Sequence, residues 1–329
     1  MSTLTFRLAG VGTYEPRQVI TSDELDRRCG RPPGTAKALG IGERRYAEPD
    51  ETSSHMGAEA ARDAIADAGW RPGDIDALIG ACGVMEQPIP GTAALVQRRL
   101  GLGRSGMPAI DVNATCLSFV PALDHALAGL ALGRWRRAVI FAADIASAAL
   151  DHADLECSAI FGDGAAAVAI EAGGPSRLLA SRIETYGEHA DLCRLEAGGT
   201  RVRPEVDLAD FLARSRFKME GGALFKATAR HFPGFLARLM DEAQMSLEAI
   251  DSVIPHQASA PALAHLARTL GGDRERIVDV FATLGNRIAS SLPHALAVAK
   301  RRGLLRAGST SLLIGSAAGI SLGGAVIRW

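Results

Sequence analysis

Apolar residues along the chain follow two rhythms. Short, nearly unbroken apolar runs recur at residues 8–11, 75–81, 138–142, 165–170, 252–254 and 310–315. Runs of this length predict strands covered on both faces. Between them, apolar residues recur at helical spacing. Met56, Ala60, Ala61, Ala64, Ile65 and Ala68 form one such stripe, closed by Gly69. Leu123, Ala126, Leu127 and Leu130 form another, and a long amphipathic stretch covers about residues 225–243. Glycine after the last periodic residue is a helix stop, and Thr21-Ser22-Asp23-Glu24 is a helix start. Strands alternating with helices predict an α/β fold with sheets sandwiched between helices, each sheet mostly parallel.

The pattern breaks at Glu171-Ala172-Gly173-Gly174-Pro175 and then restarts, which predicts two halves, 1–172 and 173–329. The halves echo each other. Gly69-Trp70-Arg71-Pro72-Gly73-Asp74-Ile75-Asp76-Ala77-Leu78-Ile79 and Gln244-Met245-Ser246-Leu247-Glu248-Ala249-Ile250-Asp251-Ser252-Val253-Ile254 both read as a helix end, a polar link and Ile-Asp before a buried strand. This predicts an internal duplication of one α/β unit.

Composition narrows the function classes. The 329 residues are 47% hydrophobic and 22% charged, with a formal net charge of −1. No basic field is available to hold nucleic acid or an anionic membrane surface. No apolar run reaches membrane-spanning length, and residues 1–7 lack the order of a signal peptide. The five cysteines, Cys29, Cys82, Cys116, Cys157 and Cys193, are odd in number and contain no CxxC or zinc-ligand spacing. A reducing cytoplasm is expected, with no metal.

Three polar residues fall at or just beyond the ends of apolar strands. Cys116 follows Asn113-Ala114-Thr115 between a short strand and a helix, facing free N–H groups and a positive dipole end, a setting that favours thiolate. His256 follows a buried strand through Pro255, and Asn286 follows Gly285. Loops at the carboxyl ends of such strands are where ligands bind. Each residue also has a plain reading: a packed thiol, a core histidine and a turn asparagine. His265 and His294 lie on amphipathic stretches and read as packing or surface.

Asn113-Ala114-Thr115-Cys116, Phe161-Gly162-Asp163-Gly164-Ala165, Pro255-His256-Gln257-Ala258 and Gly285-Asn286 together resemble the ketoacyl-ACP synthase III family. The likeness runs from Gly10 to the C-terminus and implies a five-layered αβαβα thiolase-like fold of two duplicated halves. It implies a β-ketoacyl synthase. Cys116 would take an acyl group from acyl-CoA or acyl-ACP, and His256 with Asn286 would bind a malonyl thioester and steady the enolate left by carbon dioxide. The backbone N–H groups of Cys116 and Ala318 would form the oxyanion hole. Met85, Ile89, Ser259 and Arg287 would line the substrate pocket, with Ile89 at a homodimer interface. No cofactor is implied beyond the carrier's phosphopantetheine. Where relatives that load short acyl-CoA carry Trp and Arg, this chain has Gly34 and Ala38, and a further Arg position falls at Leu155. His256-Gln257-Ala258-Ser259 is also similar to relatives that join two long acyl-CoAs without decarboxylation. Acyl transfer to an alcohol or amine, or a non-catalytic thiolase-fold partner, are the remaining alternatives.

Overall fold

The computed structural model describes residues 5–154 and 158–329, so Leu155 and Cys157 lie outside the described residues. The strands are β1 (Thr5–Tyr14), β2 (Gln18–Thr21), β3 (Glu43–Tyr46), β4 (Ala77–Gly80), β5 (Ala109–Asp111), β6 (Arg137–Asp144), β7 (Gly164–Ala172), β8 (Ser176–Thr185), β9 (Cys193–Arg194), β10 (Lys218–Met219), β11 (Ser252–Pro255), β12 (Thr310–Ala317) and β13 (Ser321–Arg328). Nine of them are hydrogen-bonded in the order β11-β12-β13-β8-β1-β7-β6-β4-β5. The link between β1 and β8 is narrow, only Thr5 with Arg177 and Phe6 with Ser176. It joins a five-strand group, β1-β7-β6-β4-β5, to a four-strand group, β11-β12-β13-β8.

Three layers of helix flank and separate these groups. The Ser53–Asp67 and Thr92–Arg99 helices cover one face of the five-strand group through Met56, Ile65 and Val96, packed with Leu78, Val139 and Phe141. The Phe119–Ala131 and Ser291–Arg301 helices fill the centre. Their Phe119, Leu123, Leu127, Leu292 and Leu296 share one core with Ile140 and Val168 of one group and with Leu313, Ala325 and Ile327 of the other. The Gly221–Ala243 and Ala260–Thr269 helices cover the far face of the four-strand group through Phe235, Leu239 and Leu266. The unbroken apolar run of β6 follows from this layering. Ala138, Ile140 and Ala142 face the central core, and Val139, Phe141 and Ala143 face the outer one. Successive strand side chains alternate faces, and here both faces are dry.

The sheets are mixed rather than mostly parallel. β4 pairs in parallel with β5 and β6, and β11 with β12. The pairings of β1 with β7, β6 with β7, β12 with β13 and β13 with β8 are antiparallel. Crossover helices permit parallel neighbours, whereas the tight turn between Ala317 and Ser321 forces β12 and β13 to run antiparallel. The repeated Ile-Asp has a matching job in each half. Asp76 accepts from the amides of Arg136 and Arg137 at the start of β6 (2.8 and 3.0 Å), and Asp251 accepts from Thr310 at the start of β12 (2.7 Å). Each carboxylate fixes a strand to its parallel neighbour.

Candidate active site

Cys116 is held by a tight turn, three residues before the Phe119–Ala131 helix begins. Thr115 takes a left-handed conformation (φ 51°), and its amide donates to Asn113 Oδ1 at 2.9 Å. Ser118 Oγ accepts from the amide of Ala114 (2.9 Å) and donates to the carbonyl of Thr115 (2.6 Å), closing the turn. Asparagine and serine supply these local bonds because their short polar side chains reach nearby backbone groups. The thiol differs from the sequence expectation. Burial pushes its pKa well up, Cys193 and Asp144 add to this, and the N–H groups of Cys116 and Ala318 pull the other way. Desolvation outweighs those two N–H groups, which favours the neutral thiol at rest. The same two N–H groups lie close enough to the sulfur to act on it.

His256 leaves the end of β11, its amide bonded to the carbonyl of Ile314 at 2.8 Å. The ring is buried, and burial pushes its pKa down to about 4, so it is neutral at pH 7. Its Nδ1 has no hydrogen-bond partner among the described residues. Gln257 fixes the loop behind it: Nε2 donates to the carbonyls of Pro255 and Val278 (2.9 and 3.0 Å), and Oε1 accepts from the amide of Val280 (3.0 Å).

Asn286 is brought to the same place by two backbone bonds with the Phe161 loop. Its amide donates to Ile160 (2.7 Å), and its carbonyl accepts from Gly162 (3.1 Å). Its Nδ2 donates to the carbonyl of Ala258 at 3.4 Å, which joins it to the histidine loop. Gly285 precedes it at φ 69°, and a Cβ there would meet the carbonyl of Ile160 at 2.7 Å. Only glycine suits both the conformation and the space. Buried Arg44 ties the surrounding loops by donating to the carbonyls of Ala159 (2.9 Å) and Phe281 (3.0 Å).

Cys116, His256, Asn286 and Ala318 all line one cavity of about 980 Å³. That is near the upper end of small-molecule sites. Much of its wall is apolar, including Ile145, Leu150, Phe161, Phe217, Phe225 and Phe232. Met85 and Ser259 also line it, although Ser259 Oγ is engaged in capping the Ala260–Thr269 helix through the amide of Ala262 (3.3 Å). His265, read from the sequence as packing or surface, is on the cavity wall against Phe225, with ring centroids 5.3 Å apart.

Two expected pocket residues are not on this wall. Arg287 is buried behind it, bonded to His294 Nδ1 (3.1 Å) and paired with Glu15 (3.4 Å). Ile288 takes the wall position instead. The reason is the backbone: Asn286 Oδ1 accepts from the amide of Ile288 (2.9 Å), and Ile288 sits at φ 49°. Ile89 lies 86% exposed and is not among the residues that line this cavity. Two further residues escaped sequence reasoning. Asp144, at the end of β6, accepts from the amides of Gly83, Val84 and Ser290 and so joins both sides of the site. Gly315 backs the histidine. Its signal was only a glycine inside an apolar strand, which marks a close approach of another group.

The family model for 3-oxoacyl-(acyl-carrier-protein) synthase III matches residues 110–187, and the model for its C-terminal region matches residues 240–329. Beta-ketoacyl-(acyl-carrier-protein) synthase III 3 of Streptomyces coelicolor is 35% identical over 326 residues, 98% of this chain and 96% of that protein. Beta-ketoacyl-(acyl-carrier-protein) synthase III of Bordetella petrii is 34% identical over 327 residues, 98% of this chain and 97% of that protein. The crystal structure of 3-oxoacyl-(acyl-carrier-protein) synthase III from Aquifex aeolicus VF5 superimposes with a TM-score of 0.88 at 29% identity, covering 98% of this chain and 100% of that one.

Proposed function

The chain belongs to the 3-oxoacyl-(acyl-carrier-protein) synthase III family, and on that premise we propose that it is an acyltransferase joining an acyl group to a malonyl thioester with loss of carbon dioxide. Cys116 is the nucleophile. Its sulfur attacks the carbonyl carbon of an acyl thioester, the carrier thiol leaves, and the cysteine proton ends on that thiol. The N–H groups of Cys116 and Ala318 face the sulfur and so stand beside the oxygen that becomes negative in this step. Preset donors of this kind lower such a barrier because they need no reorganisation.

The malonyl thioester then binds with its carbonyl oxygen toward His256 and Asn286. Carbon–carboxylate cleavage sends its electron pair toward the thioester, and the charge collects on that oxygen. A neutral imidazole and a carboxamide suit the task, because both donate without carrying a charge that would hold the oxygen before reaction. The carbanion carbon attacks the acyl carbon on Cys116. The carbon–sulfur bond breaks, the departing thiolate takes a proton from water, and a β-ketoacyl thioester leaves.

The observation that carries this reading is the shared cavity: thiol, imidazole and carboxamide, from separate parts of the chain, line one space. The experiment is a two-stage assay. Acyl-CoA or acyl-ACP should add one acyl mass to Cys116, and malonyl-ACP should then release carbon dioxide with a β-ketoacyl product. Acylation without carbon dioxide release would overturn the decarboxylative step.

We further propose that the chain works as a cytoplasmic homodimer and holds no resident cofactor for the condensation. Val84, Met85 and Ile89 are exposed in the loop between β4 and the Thr92–Arg99 helix, and β5, which pairs with β4, is the outermost strand of the five-strand group. An unpaired edge next to exposed apolar side chains supports two-fold pairing. No helix among the described residues is long and apolar enough to cross a membrane.

A further inference from the structure

A second cluster of ligating side chains lies away from Cys116, His256 and Asn286. Glu188 and His189 belong to the short turn Gly187–Leu192, and His231 belongs to the Gly221–Ala243 helix. One ligand atom from each comes within 4.8 Å of the other two. We propose that Glu188, His189 and His231 form a binding site for one divalent transition-metal ion of the zinc class.

Three features carry the proposal. His189 Nε2 stands 3.4 Å from Glu188 Oε1. Ligand atoms on a tetrahedral zinc at its usual bond lengths stand about 3.3 Å apart. His231 Nε2 is buried and has no hydrogen-bond partner among the described residues. A buried ring nitrogen left without a partner is costly, and a metal is one group that satisfies it. The His231 ring is held in place by stacking on Tyr186, with centroids 3.8 Å apart, and Tyr186 is in turn fixed by its hydroxyl, which donates to Glu184 at 2.7 Å. Ligands whose orientation is set by neighbouring groups bind metal more tightly. Glu188 is 72% exposed, so solvent reaches one side of the site and water can complete the coordination.

The position matters. The Gly187–Leu192 turn runs directly into Cys193 and Arg194, and His231 is next to Phe232; all three neighbours line the large cavity. An ion held here would clamp two segments of the cavity wall together. The cluster was invisible in the sequence because His231 lies far along the chain from Glu188-His189 and no metal motif has that spacing.

The test uses full-length protein stripped with a chelator and titrated with Zn²⁺ by calorimetry. The expected result is one equivalent bound, with affinity lowered at least about tenfold in His189→Ala and in His231→Gln, and unchanged in Cys193→Ser. X-ray absorption at the zinc edge of the wild-type complex should show nitrogen and oxygen neighbours and no sulfur. Absence of saturable binding, wild-type affinity retained in either histidine variant, dependence on Cys193, or sulfur beside the zinc would each overturn the proposal.

Discussion

Gly315 lies directly against His256: a Cβ added to it would stand 2.6 Å from the histidine Cβ. No pair of non-bonded carbon atoms tolerates that distance, so Gly315→Ala must push the imidazole off its place. The expected result is malonyl decarboxylation reduced by about tenfold or more, because misplaced donors lose most of their effect. Cys116 should still acylate, since Leu117 beside it meets the added Cβ only at the far end of its side chain, at 3.2 Å. Overpacking should also lower stability by about 1–3 kcal/mol. Separate assays of the two half-reactions, with a urea titration, check this. Undiminished decarboxylation would mean that the position of His256 is not critical.

His256→Ala and Asn286→Ala should separate the two stages more sharply. Each removes one of the donors proposed for the developing enolate oxygen and leaves the sulfur and the N–H groups of Cys116 and Ala318 in place. Loss of a preset donor costs roughly 10²–10³ in rate. Carbon dioxide release should fall by that factor in each variant, while acyl mass on Cys116 still appears. Mass spectrometry and a carbon dioxide trap give the two readouts. If both variants lose acylation instead, the assignment of His256 and Asn286 to the malonyl stage fails.

The acidity of His256 gives a pH prediction. Burial pushes its pKa down to about 4, below the ordinary value of about 6.5. Between those values the unfolded chain takes up a proton that the folded site refuses. His256 therefore destabilises the fold as pH falls through that window and has no such effect above about 6.5. Catalytically, the ring stays a neutral donor, so the His256-dependent part of decarboxylation should be flat from pH 5 to 8. An inflection near 6.5 that disappears in His256→Gln would show that the ring titrates as if in water.

Much of this architecture was legible from the residues. The unbroken apolar run of β6 can be stable only with both faces covered, and its side chains divide between two cores. The repeated Ile-Asp marked a duplication because the carboxylate has the same local task in both halves, next to a parallel strand. What could not be read was direction at turns. Arg287 and Ile288 are neighbours, and which one faces the cavity depends on the left-handed conformation of Ile288 and its bond from the Asn286 side chain. No periodicity governs a single residue of positive φ. The thiol follows a related logic: proximity to a helix start is visible in sequence, but the burial that pushes the Cys116 pKa up is a property of packing.

Asp144 supplies the last prediction. Oδ1 accepts from the amides of Gly83 and Val84 at 2.8 and 2.9 Å, and Oδ2 accepts from Ser290 at 3.1 Å. The side chain thereby links the loop before Met85 to the segment that follows Asn286. In Asp144→Asn one oxygen becomes an NH₂ group, which cannot accept, so at least one buried amide loses its partner. That costs about 1–3 kcal/mol. The cost should depend on pH in a stated direction. Burial pushes the Asp144 carboxyl up to about 7, even against the amides that bond to it. A folded value above the unfolded one of about 3.9 means that its contribution is complete at low pH and is lost as pH rises through about 7. The asparagine does not titrate. The stability gap between wild type and Asp144→Asn should therefore be wide at pH 5 and narrow at pH 8, as read by urea denaturation at both values. A gap that widens with pH would show that the three amides win over burial and that Asp144 is charged in the folded protein. That charge, buried beside the site, is the one that helps hold the Cys116 thiol from ionising.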